Sequence, residues 1–267
     1  MKKLIVISDW ASDGLSAQEF LSSTQGFLKE PANSKITFVD STPSTIHTAY
    51  LLSQVVETEN RLGIPQETVL FQNTDPRLTG STGAQFLILK LASGMVVCGP
   101  NAGFDFSLLK KHVDQAFSYT GGDLGSQFRS RDFYARACAY FMDYLDDDLE
   151  LDEVSVDVIP ALVGWYVGHV DNFGNIKTTI TAEELKGKFE LGDTFSVEIN
   201  KVKKNVRYVK SLFGGDLGEL VIYPGSSGHT DNPYLEISAW RQFTEESPTT
   251  GIHEFGTPRP GQEIKIK

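Results

Sequence analysis

The chain has 267 residues, 40% of them hydrophobic, which is enough for one large domain or two ordinary ones with a sizeable core. A formal net charge of −11 and the lack of a basic stripe argue against a nucleic-acid backbone as partner, since nothing is there to displace its counterions. No apolar run is long enough to span a bilayer, and the one acidic cluster, residues 143–150, reads as a solvated surface.

The opening Met-Lys-Lys-Leu-Ile-Val-Ile-Ser-Asp-Trp has the charge order of a signal peptide. Its apolar run from Leu4 to Ile7 stops at Ser8-Asp9, however, and reads as a first β-strand. Ile36–Val39, Thr68–Phe71 and Met95–Cys98 are further β-rich runs, most of them bounded by Gly, Pro, Asp or Asn. Between the strands, Ser16–Leu28, His47–Asn60 and Gly83–Leu91 carry apolar residues at helical spacing, and Arg131–Leu145 reads as a further helix. Such alternation predicts an α/β domain with a largely parallel sheet covered on both faces. In such sheets ligands bind beyond the carboxyl ends of the strands, where Ser8-Asp9, Asp40 and Asp75 fall.

The texture changes after Asp152. Val154–Val170, Thr194–Lys203, Arg207–Lys210, Leu220–Tyr223, Leu235–Trp240 and Glu263–Lys267 read as strands between Gly, Asp, Asn and Pro turns. Thr181 with Glu184 has the spacing of a capping box that opens a short helix. An all-β, barrel-like C-terminal domain is the expectation, with domains at 1–155 and 156–267. Cys98 and Cys138 sit in apolar segments without metal-ligand spacing, which suggests a reduced, cytoplasmic chain.

Common catalytic patterns are missing from the sequence. It has no phosphate-binding or dinucleotide-type glycine loop and no Gly-x-Ser-x-Gly elbow, and no two of His47, His112, His169, His229 and His253 stand four residues apart. A zinc site is not expected. What remains is a series of polar clusters near strand ends: Ser8-Asp9, Thr74-Asp75-Pro76, Gly99-Pro-Asn-Ala-Gly103, Phe128-Arg-Ser-Arg-Asp132, Asp171-Asn-Phe-Gly-Asn175 and Ser226-Ser-Gly228. Each also has an ordinary structural role open to it. Asp9 could cap the helix near Ser16, Asp75-Pro76 could start a turn, and 171–175 could be a hairpin loop.

In order, these clusters resemble the S-adenosylmethionine hydroxide adenosyltransferases and the related S-adenosylmethionine-dependent chlorinases and fluorinases. Ser8-Asp9-Trp10 resembles the family's opening Thr/Ser-Asp-Phe/Leu-Gly, with Ala11 in place of the glycine. Gly99-Pro-Asn-Ala-Gly-Phe104 resembles Ala-Pro-Asp/Asn-Asn-Gly-Leu, and Phe128–Ala135 resembles Phe-His-Gly-Arg-Asp-Ile-Phe-Ala. Asp171-Asn-Phe-Gly-Asn-Ile-Lys-Thr178 is similar to Asp-x-Phe-Gly-Asn-x-x-Thr, the most specific of the set. Ser226-Ser-Gly228, with Leu235-Glu-Ile-Ser238 after a short insertion, resembles the closing Asn-Ser-x-Gly-x-Leu-Glu-Ile-Ala.

The resemblance implies an N-terminal α/β domain, a C-terminal β-barrel and a homotrimer with its ligand at the subunit interface. It implies S-adenosylmethionine as substrate, hydrolysed to adenosine and methionine at the ribose 5′ carbon, without a metal or redox cofactor. Asp9 matches the carboxylate that accepts both ribose hydroxyls. Asp171 and Ser227, beside Ser226, match the groups at the amino-acid end. Asn175 matches the adenine contact, with Phe173 shaping that pocket, while Asn101 and Ser130 fall in the remaining binding motifs.

The family holds its attacking water with an aspartate, an arginine and a histidine. Asp75 matches the aspartate. Thr82 stands at the arginine position, with Arg77 nearby as a substitute, and Arg129 stands at the histidine position. Arginine stays protonated, so Arg129 can orient a water but not take its proton. The segment after Asp40 is shorter than in the family, leaving Ser44 and Thr45 as the nearest candidates to flank the ribose. A carboxylate at Asp75 would repel an incoming halide, which places halogenation behind hydrolysis. The rival reading is a silent binder of adenosyl ligands.

Overall fold

The computed structural model describes residues 2–77, 84–120, 125–241 and 250–267. The chain divides into two compact units, Met1–Leu162 and Val163–Lys267. No helix among the described residues is long and apolar enough to cross a membrane.

In the first unit a seven-stranded sheet has the order β2-β1-β3-β5-β4-β6-β7. Strands β1 (Lys2–Ser8), β2 (Ser34–Asp40), β3 (Thr68–Asn73) and β5 (Val96–Pro100) form a parallel block. Strands β4 (Phe86–Leu91), β6 (Val113–Tyr119) and β7 (Leu151–Val154) extend it in antiparallel fashion. The two-residue period of a strand supplies both faces of the core. Leu4 and Val6 of β1 point to one face, where they join Phe20 of α1 (Gly14–Phe27) and Cys138 and Phe141 of α3 (Ala135–Met142). Ile5 and Ile7 point to the other, with Leu52 and Val56 of α2 (Thr45–Leu62). Strands buried on both sides carry continuous apolar runs, which is why β1 is legible as Leu-Ile-Val-Ile.

Helix α1 is capped by Asp13, whose carboxylate accepts the Leu15 N–H at 3.2 Å, so Asp9 is free of that structural role. Ser44 caps α2 through the His47 N–H. The run Gly83–Leu91, expected as a helix, is instead the strand β4, and Gly83 itself lies outside the described residues. Its partner β5 follows through a tight turn in which Gly94 takes a φ of +86°. The expected helix over 131–145 is shorter too: a π-helical turn spans Ser130–Tyr134, and α3 ends at Met142. Residues 156–162 pack on this unit. Ile159 is fully buried in its core, and Ser107 Oγ donates to the Pro160 carbonyl at 2.6 Å.

The second unit is a closed barrel with the strand order β10-β11-β12-β13-β9-β8-β14. Its strands are β8 (Trp165–Val170), β9 (Ile176–Thr181), β10 (Thr194–Ile199), β11 (Val202–Tyr208), β12 (Leu220–His229), β13 (Asn232–Ala239) and β14 (Glu263–Ile266). The expected strand over 154–170 is only β8; Gly164, with a φ of +96°, immediately precedes it. The expected run 194–203 is folded at Asn200-Lys201, both with positive φ, into the β10–β11 hairpin. Inward residues such as Val167, Ile176, Val197, Ile222, Leu235 and Ile237 fill the barrel. The short helix α4 (Ala182–Leu185) opens with the expected capping box, Glu184 accepting the Thr181 N–H at 2.8 Å.

Candidate functional site

A cleft of about 440 Å³ opens in the first unit beyond the carboxyl ends of β1 and β3. Asp9 and Asp75 both line it, because β1 and β3 are hydrogen-bonded neighbours in parallel register, Ser8 opposite Asn73. Arg129, Ser130 and Tyr134 enter from the π-helical turn before α3, and Arg77 lines the same cleft. Thr82 lies outside the described residues.

Each member of the cleft is held by its neighbours. Ser8 Oγ donates to the Asn73 carbonyl at 2.9 Å and accepts the Trp10 N–H, which fixes the turn carrying Asp9. Trp10 packs edge-on against Phe128 and tilted against Phe20. Asn73 Nδ2 donates to Ser130 Oγ at 2.5 Å, tying the end of β3 to the π-helical turn. Tyr134 stacks on Phe86 with ring centroids 4.1 Å apart. Asp75 Oδ1 accepts the Arg77 N–H at 2.9 Å, and Oδ2 accepts the Ala84 N–H at 3.4 Å. That first bond closes a tight turn in which Arg77 takes a φ of +59°. Arg129 approaches Asp75 Oδ2 to 3.9 Å.

Two carboxylates, Asp9 and Asp75, share the cleft with two guanidiniums, Arg77 and Arg129. Burial pushes the Asp9 carboxyl above its ordinary value; its own backbone N–H and the Ser8 hydroxyl oppose that shift, while the charges of Asp75 and Asp40 add to it. Behind the cleft, on the loop after β5, Asp105 is wholly buried, and among the described residues neither of its carboxyl oxygens has a hydrogen-bond partner. Burial raises its carboxyl well above the usual carboxylate range. The backbone N–H groups of Asp105 and Ala102 oppose the shift without reaching bonding geometry, and Asp75 and Asp9 reinforce it.

Other sequence candidates in this unit sit apart from the cleft lining. Asn101 directs Nδ2 to the Val158 carbonyl at 2.9 Å, a clamp on the 156–162 segment. Ser44 is a helix cap, and Thr45 lies buried against Gly103, where a Cβ would meet its hydroxyl.

In the second unit the 171–175 loop is closed by its own polar groups. Asp171 Oδ1 accepts the N–H groups of Phe173 and Asn175, both at 3.0 Å, and Oδ2 accepts Asn175 Nδ2 at 3.0 Å. Asn175 Oδ1 in turn accepts hydroxyls from Ser238 and from Thr250, the latter at 2.7 Å. Gly174 takes a φ of +81° in this turn, and Phe173 stands 58% exposed at its tip. Ser226 and the buried Ser227 lie where the β12–β13 register breaks between Pro224 and Gly228.

Reading the sequence singles out neither Asn73 nor Tyr134 in the cleft, nor Lys177, Glu236, Ser238 and Thr250 in the barrel. Lys177, Glu236 and Ser238 stand inside the quoted motifs, and Tyr134 inside the segment 128–135, so motif membership is the signal that could have found them. Asn73 and Thr250 carry no such signal. Among the described residues no group of three or more His, Cys, Asp or Glu side chains is placed to hold a metal ion.

Comparison with known proteins adds two kinds of finding. The family model described as the SAM hydroxide adenosyltransferase C-terminal domain matches residues 165–237. No curated protein matches the chain. Among solved structures, an uncharacterized conserved protein from Thermotoga maritima is similar with a TM-score of 0.70 and 18% identity, covering 99% of this chain and 100% of that one. A conserved hypothetical protein from Thermus thermophilus is similar with a TM-score of 0.66 and 19% identity, covering 100% of both chains. At such identities the likeness establishes the fold.

Proposed function

We propose that the chain is a member of the S-adenosylmethionine hydroxide adenosyltransferase family, whose C-terminal domain model matches residues 165–237 of its second unit, and that it hydrolyses S-adenosylmethionine to adenosine and methionine. The observation that carries the reading is the placement of Asp9, Asp75 and Arg129 in one cleft at the ends of two neighbouring parallel strands. In this reading Asp9 accepts both ribose hydroxyls, a task suited to two oxygens that already sit in a partly buried site. Asp75 and Arg129 orient a water in line with the 5′ carbon. A bond forms from the water oxygen to that carbon as the carbon–sulfur bond breaks, and its electron pair leaves on sulfur as the neutral thioether of methionine. The water's proton departs to solvent. Positive charge passes from sulfur to the attacking oxygen until its proton leaves, and the Asp75 carboxylate faces that oxygen, so a preorganised cleft favours the transition state.

The amino-acid end of the substrate is assigned to Asp171, Ser226 and Ser227, and the adenine edge to Asn175 and Phe173. The family likeness adds a homotrimer with the ligand at the subunit interface, which sedimentation with and without ligand tests. Incubation with S-adenosylmethionine in chloride buffer tests the reaction: adenosine above the uncatalysed background supports hydrolysis, and 5′-chloro-5′-deoxyadenosine would mean halide transfer instead.

One observation favours a second reading, a silent binder of adenosyl ligands. Both Asp75 oxygens already accept backbone N–H groups, and its neighbour Arg129 cannot take a proton. Calorimetric binding without adenosine release would select that reading.

A further inference from the structure

We propose that Glu236 is a positioning residue for the amino-acid end of the ligand, acting through the Ser226–Ser227 bulge. The inference rests on the assignment of that bulge to the amino-acid end. In β12 the ladder to β13 is interrupted between Pro224 and Gly228, so residues 225–227 lose their regular strand partners. Glu236 replaces them. Its Oε1 accepts the Ser226 N–H at 3.0 Å, the Ser226 hydroxyl at 3.3 Å and the Lys177 ammonium at 2.7 Å. Its Oε2 accepts the Tyr223 hydroxyl at 3.3 Å.

Four donors converging on two oxygens match the lone-pair capacity of an ionised carboxylate, and no other side chain of this length accepts so many. The carboxylate side chain is only 6% exposed, and that of Lys177 15%. A buried charge in such surroundings is held where it is needed to fix neighbours, since an uncompensated one is costly. Burial, followed by the charge of Glu236, pushes the Tyr223 phenol well above its usual range, which keeps it a donor. Gly225 completes the fit. A Cβ there would run into the Glu236 side chain, so the bulge closes on this carboxylate only with glycine at 225.

The same strand serves the other assigned loop. Two residues on, Ser238 donates to Asn175, so Glu236 and Ser238 reach from one face of β13 to both loops of the proposed site. Lys177, on β9 and two residues past Asn175, is tied to the same point. Glu236 touches no reacting atom. Its effect is on where Ser226 and Ser227 stand.

The test compares S-adenosylmethionine with 5′-methylthioadenosine, which lacks the amino-acid end and, with it, the sulfonium charge. That charge is common to every S-adenosylmethionine titration, so the variants are read by their change relative to the wild type. In Glu236→Gln the Lys177 charge loses its partner, so thermal unfolding accompanies every titration. Glu236→Asp keeps the charge but falls one methylene short of Ser226, and serves where Glu236→Gln does not fold. In either variant the affinity for S-adenosylmethionine falls about tenfold, the effect of losing one or two well-placed hydrogen bonds. Affinity for 5′-methylthioadenosine stays within about twofold in the same measurement. Equal losses for both ligands, or no loss for either, overturn the role of Glu236 while leaving the site assignment standing. A wild-type protein that shows no preference for S-adenosylmethionine over 5′-methylthioadenosine overturns the site assignment and this inference together.

Discussion

The cleft of the first unit and the loops of the second solve opposite physical problems. Around the cleft, carboxyls are strained: Asp9 in its lining and the buried Asp105 outside that lining are both pushed toward their neutral forms, each by burial first and with neighbouring carboxylates adding to it. In the loops every carboxylate is answered. Asp171 accepts three hydrogen bonds within five residues, and Glu236 accepts four from three side chains and one backbone N–H. Electrostatic tension marks a place where a cationic ligand or a developing charge is to be stabilised, whereas saturated polar networks mark a surface preset in shape. In the proposed reading the first region carries the chemistry and the second the recognition.

The largest effect that tests this division is expected at Asp9. Asp9→Ala removes the carboxylate proposed to hold both ribose hydroxyls, and affinity for S-adenosylmethionine should fall about 100-fold or more by calorimetry. Unchanged affinity would remove the ribose assignment and with it the case for chemistry in the cleft. Next comes Asp75→Asn, which keeps the shape and the turn acceptor at Oδ1 but loses the charge facing Arg129. Turnover should drop about 100-fold, as for loss of a group that orients the nucleophile, with affinity within about threefold. Equal loss of both would make Asp75 a binding residue and favour the silent binder.

A smaller effect, of a different kind, is expected in the barrel. Asn175→Ala removes the acceptor of the Ser238 and Thr250 hydroxyls and the donor to Asp171 at once. The cost is about 1–3 kcal/mol in denaturant unfolding, because buried partners are left unsatisfied. Affinity should weaken for both S-adenosylmethionine and adenosine, since the whole loop loosens. If stability falls while adenosine affinity holds, Asn175 is a latch for the loop and not an adenine contact.

What is legible in the sequence follows from the range of the interactions involved. Asp9 and Asp75 can be placed because parallel strands carry their ligand residues at their carboxyl ends, and β1 and β3 announce themselves as apolar runs ending in polar residues. The strand β4 reads as a helix because Phe86-Leu-Ile-Leu-Lys-Leu91 is apolar nearly all round, and periodicity alone does not separate a buried strand from a buried helix. β6 and β7 escape a sequence reading because Asp114 and Gln115, and Asp152 and Glu153, put exposed polar residues into short strands near the sheet edge. The role of Glu236 depends on a register break in a strand pair and on a lysine 59 positions away, and neither leaves a local mark. The same holds for Asn73, whose bond to Ser130 spans 57 positions.

The smallest effect probes the tension itself. A carboxyl whose value is raised on folding binds its proton more tightly in the folded protein than in the unfolded chain. Its stabilising contribution is therefore fully present below the ordinary carboxylate value of 3.8 and is lost as pH rises toward the raised folded value. Asp105→Asn keeps the shape and removes the titration, so the variant should be more stable than the wild type at pH 7 by a modest rise in melting temperature. The difference should shrink on acidification and vanish near the ordinary carboxylate value, because there the wild-type carboxyl is neutral in both states. Melting curves from the ordinary carboxylate value up to neutral pH would read this directly. A constant difference at all pH values would mean that the introduced amide gains or loses a hydrogen bond unrelated to charge. A wild type more stable than the variant at pH 7 would mean that Asp105 is held ionised by a partner, and the contrast with the loops would then rest on Asp9 alone.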